Sequence, residues 1–347
     1  MMRRLLWPLL ILALCLCACQ DRDESTNVSD EPTGTPIALI VVPSESPGVS
    51  NPPSMDCDGE ITWETVDGTL TQVFHTQEAL EQWAASGQER EWNTATKAVR
   101  FEEGVESIPA EAFAHRSIVE AFFPASLREI GDYAFLCCDT LEQIHWQEGL
   151  REIGKCAFEG TAIRELVLPD GLVSVGVDAF SEMPNLQTVY LPDSIKDLRY
   201  TFIDCPMLES IRLPAHVEIL HAGFLEGASA LQELTVPASV QIIDLDLAAH
   251  GGVRRIVFEG SPLLICRMNI EDYPTLEQIV FCSEPPTQDA KLMAMIEDGG
   301  LGIYGSGQCT LYYLNSYTSY WAPNGEIEWN GFPIVGINSL EDLPPLE

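Results

Sequence analysis

An apolar residue recurs along this sequence at intervals that alternate between 22 and 23 residues. Eight successive units begin in this way, at Ile118, Leu141, Ile163, Leu186, Leu208, Leu231, Val253 and Leu276. A degenerate earlier unit covers about residues 98–117. A unit of this length cannot bury an apolar surface by itself, so the repeat predicts a solenoid in which neighbouring units stack and share one core.

Each unit contains the same order of apolar positions. It opens with apolar-x-x-apolar-x-apolar and usually proline, as in Leu186, Val189, Leu191 and Pro192. The last two apolar positions alternate with an outward one, which is typical of a half-buried strand, and the proline ends that strand. A second apolar pair and an Ala-Phe step complete the unit, for example Leu150, Ile153, Ala157 and Phe158. Stacked units would form a parallel sheet with strands about 4.8 Å apart.

The pattern resembles the BspA-type leucine-rich repeat of bacterial surface proteins. The segment Ile118–Cys138 carries it nearly complete, with Pro124, Ser126, Leu127, Ile130, Gly131, Ala134, Phe135 and Cys138. The resemblance implies an α/β-type solenoid, a right-handed coil with a parallel concave β-sheet, short helices or irregular turns on the convex side, and β-rich caps at both ends. It also implies attachment to host or neighbouring-cell components, without identifying particular binding residues.

The resemblance covers about residues 57–337 and gives the folded part three regions. These are an N-terminal cap at 57–97, the leucine-rich repeats at 98–286, and a C-terminal cap at 287–347. The pattern weakens over residues 244–275, where the Ala-Phe step is replaced.

Both cap regions carry further signals. Cys57–Trp63 followed by Asp67–Leu70 resembles the N-terminal cap hairpin of the family, and the aromatic-rich segment Leu311–Val335 resembles its C-terminal cap. Apolar residues at helical spacing also predict two short helices, Gln77–Ser86 and Asp289–Asp298, each followed by a glycine.

The N-terminus carries an export signal. Arg3 and Arg4 precede the apolar run Leu5–Leu16, which is too short to span a bilayer of about 30 Å, so residues 1–18 are predicted to be a signal peptide. The segment Leu16–Cys19 resembles the lipobox of bacterial lipoproteins, which implies a lipid on Cys19. Secretory cleavage without a lipid is the alternative.

Residues 19–56 combine that cysteine with a segment rich in Ser, Thr, Pro, Asp and Glu, predicted to be a disordered tether. The protein would then lie at the outer face of the cell membrane and touch the membrane only through its lipid anchor. The formal net charge of −35 repels phosphate backbones, so nucleic acid is not an expected partner.

The cysteines beyond residue 19 do not form a metal motif. No C-x-x-C pair occurs, and Cys138 and Cys205 occupy the repeat position where the family places a buried cysteine. We therefore expect mostly buried free thiols, and leave open a disulfide that involves Cys137, Cys266 or Cys282.

The sequence offers little for catalysis. The run Gly300–Gly305 matches G-x-G-x-x-G, but a strand-like segment follows instead of a helix, so a flexible loop is predicted there. Asp244 and Asp246 are more typical of a solvated turn than of an acid/base pair, and the histidines lack metal-site spacing. We expect no enzyme activity, cofactor or metal.

Unit positions three and five would project from the concave sheet. Position three reads Ala98, Glu120, Gln143, Glu165, Thr188, Ser210, Glu233, Arg255 and Gln278. Position five reads Arg100, Phe122, His145, Val167, Tyr190, Arg212, Thr235, Val257 and Val280.

Several of these side chains are aromatic or arginine, the types enriched at binding hot spots. The candidate binding face is Phe122, His145, Val167, Tyr190, Arg212 and Arg255, for an unknown protein or glycan ligand. Alternatively, such a ladder only stabilises the sheet. The sequence thus favours a non-catalytic surface binding module, with a structural spacer without a discrete ligand as the alternative.

Overall fold

The computed structural model describes residues 60–86, 94–221, 223–243, 251–262, 264–265, 268–269, 273–285, 303–304 and 309–346. These residues lie within one compact unit, Met55–Glu347. The predicted signal peptide, Cys19, the tether, the helix Asp289–Asp298 and the pair Asp244 and Asp246 lie outside the described residues. The same holds for Cys57 and Cys266.

The opening segment of each repeat forms a short strand, and these strands make up the first strand series. Its members are Ala98–Phe101, Glu120–Phe122, Gln143–His145, Glu165–Val167, Thr188–Tyr190, Ser210–Arg212, Glu233–Val236, Arg255–Phe258, Gln278–Phe281, Thr310–Leu314 and Phe332–Ile337. Neighbours pair in parallel at equivalent repeat positions within three sheets, so that Thr188 lies opposite Glu165 on one side and Ser210 on the other. The sheets meet between Gln143–His145 and Glu165–Val167 and between Ser210–Arg212 and Glu233–Val236, where these described strands are not paired. This register is the one that the repeat predicts.

The second apolar pair of each repeat forms a second strand series of two-residue strands. These are Ser107–Ile108, Glu129–Ile130, Glu152–Ile153, Ser174–Val175, Asp197–Leu198, Ile219–Leu220, Ile242–Ile243 and Leu264–Ile265. They too pair in parallel, in two sheets that meet between Ser174–Val175 and Asp197–Leu198, as Glu129 with Glu152 and Ser174 with Glu152 show. The glycine after the strand allows close stacking, because a Cβ at Gly154 would lie 2.6 Å from the backbone nitrogen of Asp132.

The Ala-Phe steps lie in turns that also stack by backbone hydrogen bonds. The Phe135 N–H donates to the Ala157 carbonyl at 2.8 Å, and the Phe158 N–H donates to the Ala179 carbonyl at 2.9 Å. Of the two expected forms, short helices or irregular turns, the described Ala-Phe steps adopt turns. The prediction of a leucine-rich-repeat solenoid is confirmed, with about ten turns and little helix.

The core between the strand series is built around a column of phenylalanine rings. Phe113, Phe135, Phe158 and Phe180 are fully buried. Their ring centroids lie 5.2, 5.2 and 5.5 Å apart in successive pairs, and the rings are almost parallel. Leucine and isoleucine from both strand series surround the column, so every repeat contributes to one continuous core.

A hairpin and a helix close the N-terminal end of the described core. Strands Ile61–Val66 and Thr69–Phe74 pair antiparallel, and the second then pairs in parallel with Ala98–Phe101. The predicted helix forms over Gln77–Ala85, and the Thr76 hydroxyl caps it by accepting the Ala79 N–H. The buried face of the helix covers the open end of the core.

The C-terminal end continues the first strand series before it closes. The short strand Glu328–Trp329 turns back antiparallel on Phe332–Ile337. Short helical segments follow the neighbouring strands, at Asn315–Tyr317, Thr318–Trp321 and Leu340–Asp342. The predicted flexible loop Gly300–Gly305 is corrected in part, because Ile303–Tyr304 forms a short strand parallel to Met268–Asn269.

The described cysteines are free thiols, at positions 137, 138, 156, 205, 282 and 309. Cys138 and Cys205 are buried, and each thiol donates to the carbonyl of the phenylalanine one repeat earlier, Phe113 at 3.1 Å and Phe180 at 3.3 Å. Burial raises the pKa of both thiols to about 12. These two cysteines are therefore structural parts of the repeat and poor nucleophiles.

Candidate binding surface on the strand face

The outward side of the first strand series carries the predicted binding residues, and we call it the strand face. Within each strand the middle residue enters the core while the residues on either side point outward. Leu166, for example, is 1% exposed, whereas Glu165 and Val167 on either side of it are exposed. This alternation places positions three and five of every repeat on the same surface.

Large apolar side chains are exposed in the middle of the strand face and again at its last strand, where Val335 is 42% exposed. Val167 and Tyr190 are 51% and 56% exposed, which is unusual for large apolar side chains on adjacent strands. Towards the C-terminal end the equivalent residues Val257 and Val280 are buried. We call the exposed middle part the mid-face, defined by Gln143, His145, Glu165, Val167, Thr188 and Tyr190.

Phe122 lies in a stack of side chains at the N-terminal edge of the mid-face. The Arg100 guanidinium carbon lies 5.0 Å from the centroid of the Phe122 ring. The His145 ring stacks on the Phe122 ring, with the two centroids 4.3 Å apart and an interplanar angle of 4°. His145 is also hydrogen-bonded to Glu120, with 2.6 Å between His145 Nε2 and Glu120 Oε1. Since Phe122 contacts a ring and a cation of its own chain, it stabilises the sheet as well as facing solvent.

Tyr190 and Arg212 form a second pair on adjacent strands. The Arg212 guanidinium lies 5.5 Å from the Tyr190 ring centroid, and its Nη2 donates to Asp193 at 3.2 Å. Asp193 also accepts the Ala215 N–H at 2.9 Å. This backbone bond, together with the charge of Arg212, holds the pKa of Asp193 below its usual value.

The segment Ser339–Leu346, which we call the C-terminal strap, covers the far end of the strand face. The Pro344 carbonyl accepts from Arg255 Nη2 at 2.9 Å and from Gln278 Nε2 at 3.1 Å. Leu343 packs against the cluster that contains Val257, Val280, Tyr312 and Ile337.

Arg255 therefore lies on the strand face but under the strap. Its side chain is 15% exposed and also pairs with Glu233 at 2.8 Å. The expectation that Arg255 is open to a ligand alongside the other candidates is corrected by this cover. Phe122, His145, Val167, Tyr190 and Arg212 remain the candidate binding residues.

Sequence reasoning missed the acidic partners of the three arginines on this face. Arg100 pairs with Glu64 of the hairpin, Arg212 with Asp193 of the preceding turn, and Arg255 with Glu233 of the preceding strand. Glu233 stands at position three of the neighbouring repeat, so alignment of the repeats could have identified that pair. Glu64 and the strap lie outside the repeat and gave no such signal.

Other kinds of site are not evident in the described part of the chain. No group of three or more His, Cys, Asp or Glu side chains is arranged to hold a metal ion among the residues described. None of the helices described is both long and apolar enough to pass through a bilayer.

Six copies of one repeat family match the sequence. The BspA type leucine rich repeat region is matched over residues 92–199 and 128–251. No curated protein matches the chain in sequence.

Solved structures of bacterial leucine-rich-repeat proteins are also similar. The leucine rich repeat protein TpLRR of T. pallidum is 25% identical, with 57% of this chain and 83% of that chain covered and a TM-score of 0.38. A leucine-rich repeat protein from Bacteroides ovatus is 17% identical, with 80% and 89% covered and a TM-score of 0.39. The pneumococcal vaccine antigen PcpA is 15% identical, with 70% and 78% covered and a TM-score of 0.34. Together with the repeat, register and phenylalanine column described above, the family match identifies residues 92–251 as a BspA-type leucine-rich-repeat region.

Proposed function

We propose that this protein is a non-catalytic binding module that takes a protein or glycan ligand on its mid-face. The observation that carries the proposal is the exposure of Val167 and Tyr190 side by side, at 51% and 56%, on a face whose C-terminal end is covered by the chain itself. Exposed apolar and aromatic side chains on a rigid sheet lose little conformational entropy when a partner covers them.

The proposal includes export and attachment to the outer face of the cell membrane through a lipid on Cys19. Its support is the sequence of residues 1–19, together with the surface location that is typical of BspA-type repeat proteins. Adhesion to host or neighbouring cells would follow from that location. The test is incorporation of radiolabelled palmitate, which the wild type should show and a Cys19→Ser variant should lose. Equal labelling of both proteins would contradict the anchor.

Binding by the mid-face can be tested with a matched pair of double variants. The test protein carries Val167→Ser and Tyr190→Ser, and the control carries Val173→Ser and Tyr320→Ser, whose residues are 56% and 55% exposed elsewhere. Full-length proteins are applied to immobilised fibronectin, collagen, laminin and purified cell-wall glycans. We expect binding of the control to equal wild type, and binding of the test protein to fall about tenfold or more, since a hot-spot aromatic contributes about 2 kcal/mol.

Equal binding by both double variants would remove the mid-face as the binding surface. A structural spacer is the alternative function, and one observation favours it: Phe122 and Arg212 already contact side chains of their own face, His145 and Tyr190. A spacer would bind none of the immobilised components, and both double variants would then be indistinguishable from wild type.

A further inference from the structure

We propose that the ligand of the mid-face is an extended peptide segment of a protein, with apolar side chains flanked by basic ones. This inference rests on the proposed binding function and specifies the chemistry of the ligand. It is carried by three observations: the way the C-terminal strap lies on the same face, the matching side-chain layout of the mid-face, and the distribution of charge.

The C-terminal strap shows how a polypeptide main chain lies on the strand face. One carbonyl, that of Pro344, accepts hydrogen bonds from Arg255 and Gln278, which are position-three side chains of adjacent strands. The adjacent Leu343 packs against position-five side chains, among them Val257 and Val280. Position three thus supplies donors for the main chain, while position five receives an apolar side chain.

The mid-face repeats part of this layout, and none of the segments that the structure describes covers it. At position three Gln143 and Thr188 carry donor groups, and Gln143 occupies the repeat position of Gln278. The strand of Glu165 lies between them, so each would donate to a different carbonyl of the ligand. At position five Val167 and Tyr190 supply the apolar surface that Val257 and Val280 supply under the strap. A peptide main chain on the mid-face could therefore be held by donors at position three and by apolar contacts at position five, as the strap is, although with one donor for each carbonyl.

The length of the exposed surface also suits a peptide. The three strands of the mid-face and the two that follow, Ser210–Arg212 and Glu233–Val236, include four spacings of about 4.8 Å each, or about 19 Å in total. An extended chain advances about 3.3 Å per residue, so about six residues would cross the surface. Alternate side chains of such a segment would face the sheet.

Charge selects a basic segment. The strand-face arginines are already paired, Arg100 with Glu64 and Arg212 with Asp193, so they offer little to an anionic ligand. The ion pairs among the described residues leave the exposed Glu165 without a cation. On a chain with a net charge of −35, a basic partner is attracted and an acidic one is repelled.

A glycan would have to stack on an open aromatic ring face. Phe122 contacts both His145 and Arg100 and offers little for this, whereas Tyr190 has Arg212 beside it and is 56% exposed. The strap and the charge distribution are therefore what favour a protein segment over an oligosaccharide.

Fluorescence anisotropy with defined peptides tests the proposal. The probes are labelled nine-residue peptides that alternate leucine with lysine, with glutamine or with glutamate, and the competitor is uncharged maltohexaose. Each is titrated with the full-length wild type, Glu165→Gln, Tyr190→Ser and the control Glu152→Gln. Glu152 is an exposed glutamate of the second strand series, so both glutamine variants change the net charge equally.

We expect the lysine peptide to bind at least about tenfold more tightly than the glutamate peptide, because opposite charges meet on the surface. Glu165→Gln should weaken binding about fivefold and Tyr190→Ser about tenfold, while Glu152→Gln should change it less than about twofold. Unchanged far-ultraviolet circular dichroism identifies variants that have kept their fold.

Two results would overturn the peptide assignment. Equal affinities for the lysine and glutamate peptides would contradict the charge argument, and equal losses in Glu165→Gln and Glu152→Gln would place the basic peptide elsewhere on the acidic surface. Competition by maltohexaose that disappears in Tyr190→Ser would also contradict a peptide ligand, yet it would leave the mid-face as a binding surface.

Discussion

At the level of single residues, the phenylalanine column joins consecutive repeats through direct ring-to-ring contacts. Phe158 is fully buried, with Phe135 at 5.2 Å on one side and Phe180 at 5.5 Å on the other. The Trp146 ring packs against Phe158 in a T-shaped arrangement, with the ring centroids 5.7 Å apart. Loss of one ring therefore removes contacts to two repeats at once.

Replacing Phe158 by alanine should lower the free energy of unfolding by about 3–5 kcal/mol, because the cavity cannot close between stacked backbones. Urea denaturation followed by circular dichroism measures the change. Val173→Ala is the control, and since Val173 is 56% exposed it should cost less than about 0.5 kcal/mol. Similar losses from both substitutions would contradict a shared aromatic core.

The half-buried carboxylate of Glu159 gives a pH-dependent prediction. Burial raises its pKa above the ordinary 4.5, and the nearby charges of Glu182 and Asp178 add to the rise, although a hydrogen bond from Cys156 opposes it. The folded protein therefore binds this proton more tightly than the unfolded chain. Its contribution to stability must fall as the pH rises above 4.5 through the raised pKa.

Glu159→Gln should accordingly be more stable than wild type at pH 7, and the difference should shrink as the pH falls to 4. Thermal denaturation of both proteins across that range measures the difference in melting temperature. Glu152→Gln, at an exposed glutamate, should show a smaller change with pH. A Glu159→Gln variant that loses stability towards pH 7 relative to wild type would show that the charged form is favoured in the fold.

At the scale of elements, the C-terminal strap stabilises the end of the first strand series. Leu343 covers part of the Val257 cluster, whereas Leu340 of the same segment is 47% exposed. Leu343→Ser should therefore lower the free energy of unfolding by about 1 kcal/mol, and Leu340→Ser should change it by less than about 0.5 kcal/mol. Urea denaturation compares the two variants. Equal changes in the free energy of unfolding would mean that the packing of Leu343 is not what stabilises this end of the strand series.

The strands of the repeat could be predicted from the sequence because contacts there follow a local rule. Equal repeat lengths set the register, so Val167 lies beside Tyr190, as the aligned sequences predict. Position five was correctly placed on the outward face for the same reason.

The contacts that decide which part of the strand face is open could not be predicted in this way. Arg255 and Pro344 are 89 residues apart, and the strap belongs to no repeat, so periodicity carries no information about it. The backbone of the turns gave no signal either. Tyr133 and Cys137 adopt positive φ angles of 59° and 52°, a conformation for which glycine is the usual sequence marker.

At the scale of the whole molecule, the net charge of −35 must oppose folding. Compaction brings like charges together, and salt reduces their repulsion because the Debye length falls to about 8 Å at 0.15 M ionic strength. We expect the melting temperature to rise by about 2 °C or more between 10 and 200 mM sodium chloride, which corresponds to about 1 kcal/mol. Differential scanning calorimetry measures it. A fall in melting temperature would instead mean that salt weakens the stabilising ion pairs of the arginines more than it reduces the net repulsion.

Site-specific photo-cross-linking shows whether a ligand contacts the mid-face. A benzophenone amino acid replaces Tyr190 in one full-length protein and Tyr320 in another, since these tyrosines are 56% and 55% exposed. Both proteins are irradiated with the matrix and cell-wall components described above. We predict adducts from position 190 and none from position 320, whereas adducts from position 320 alone would contradict the assignment of the mid-face as the binding surface.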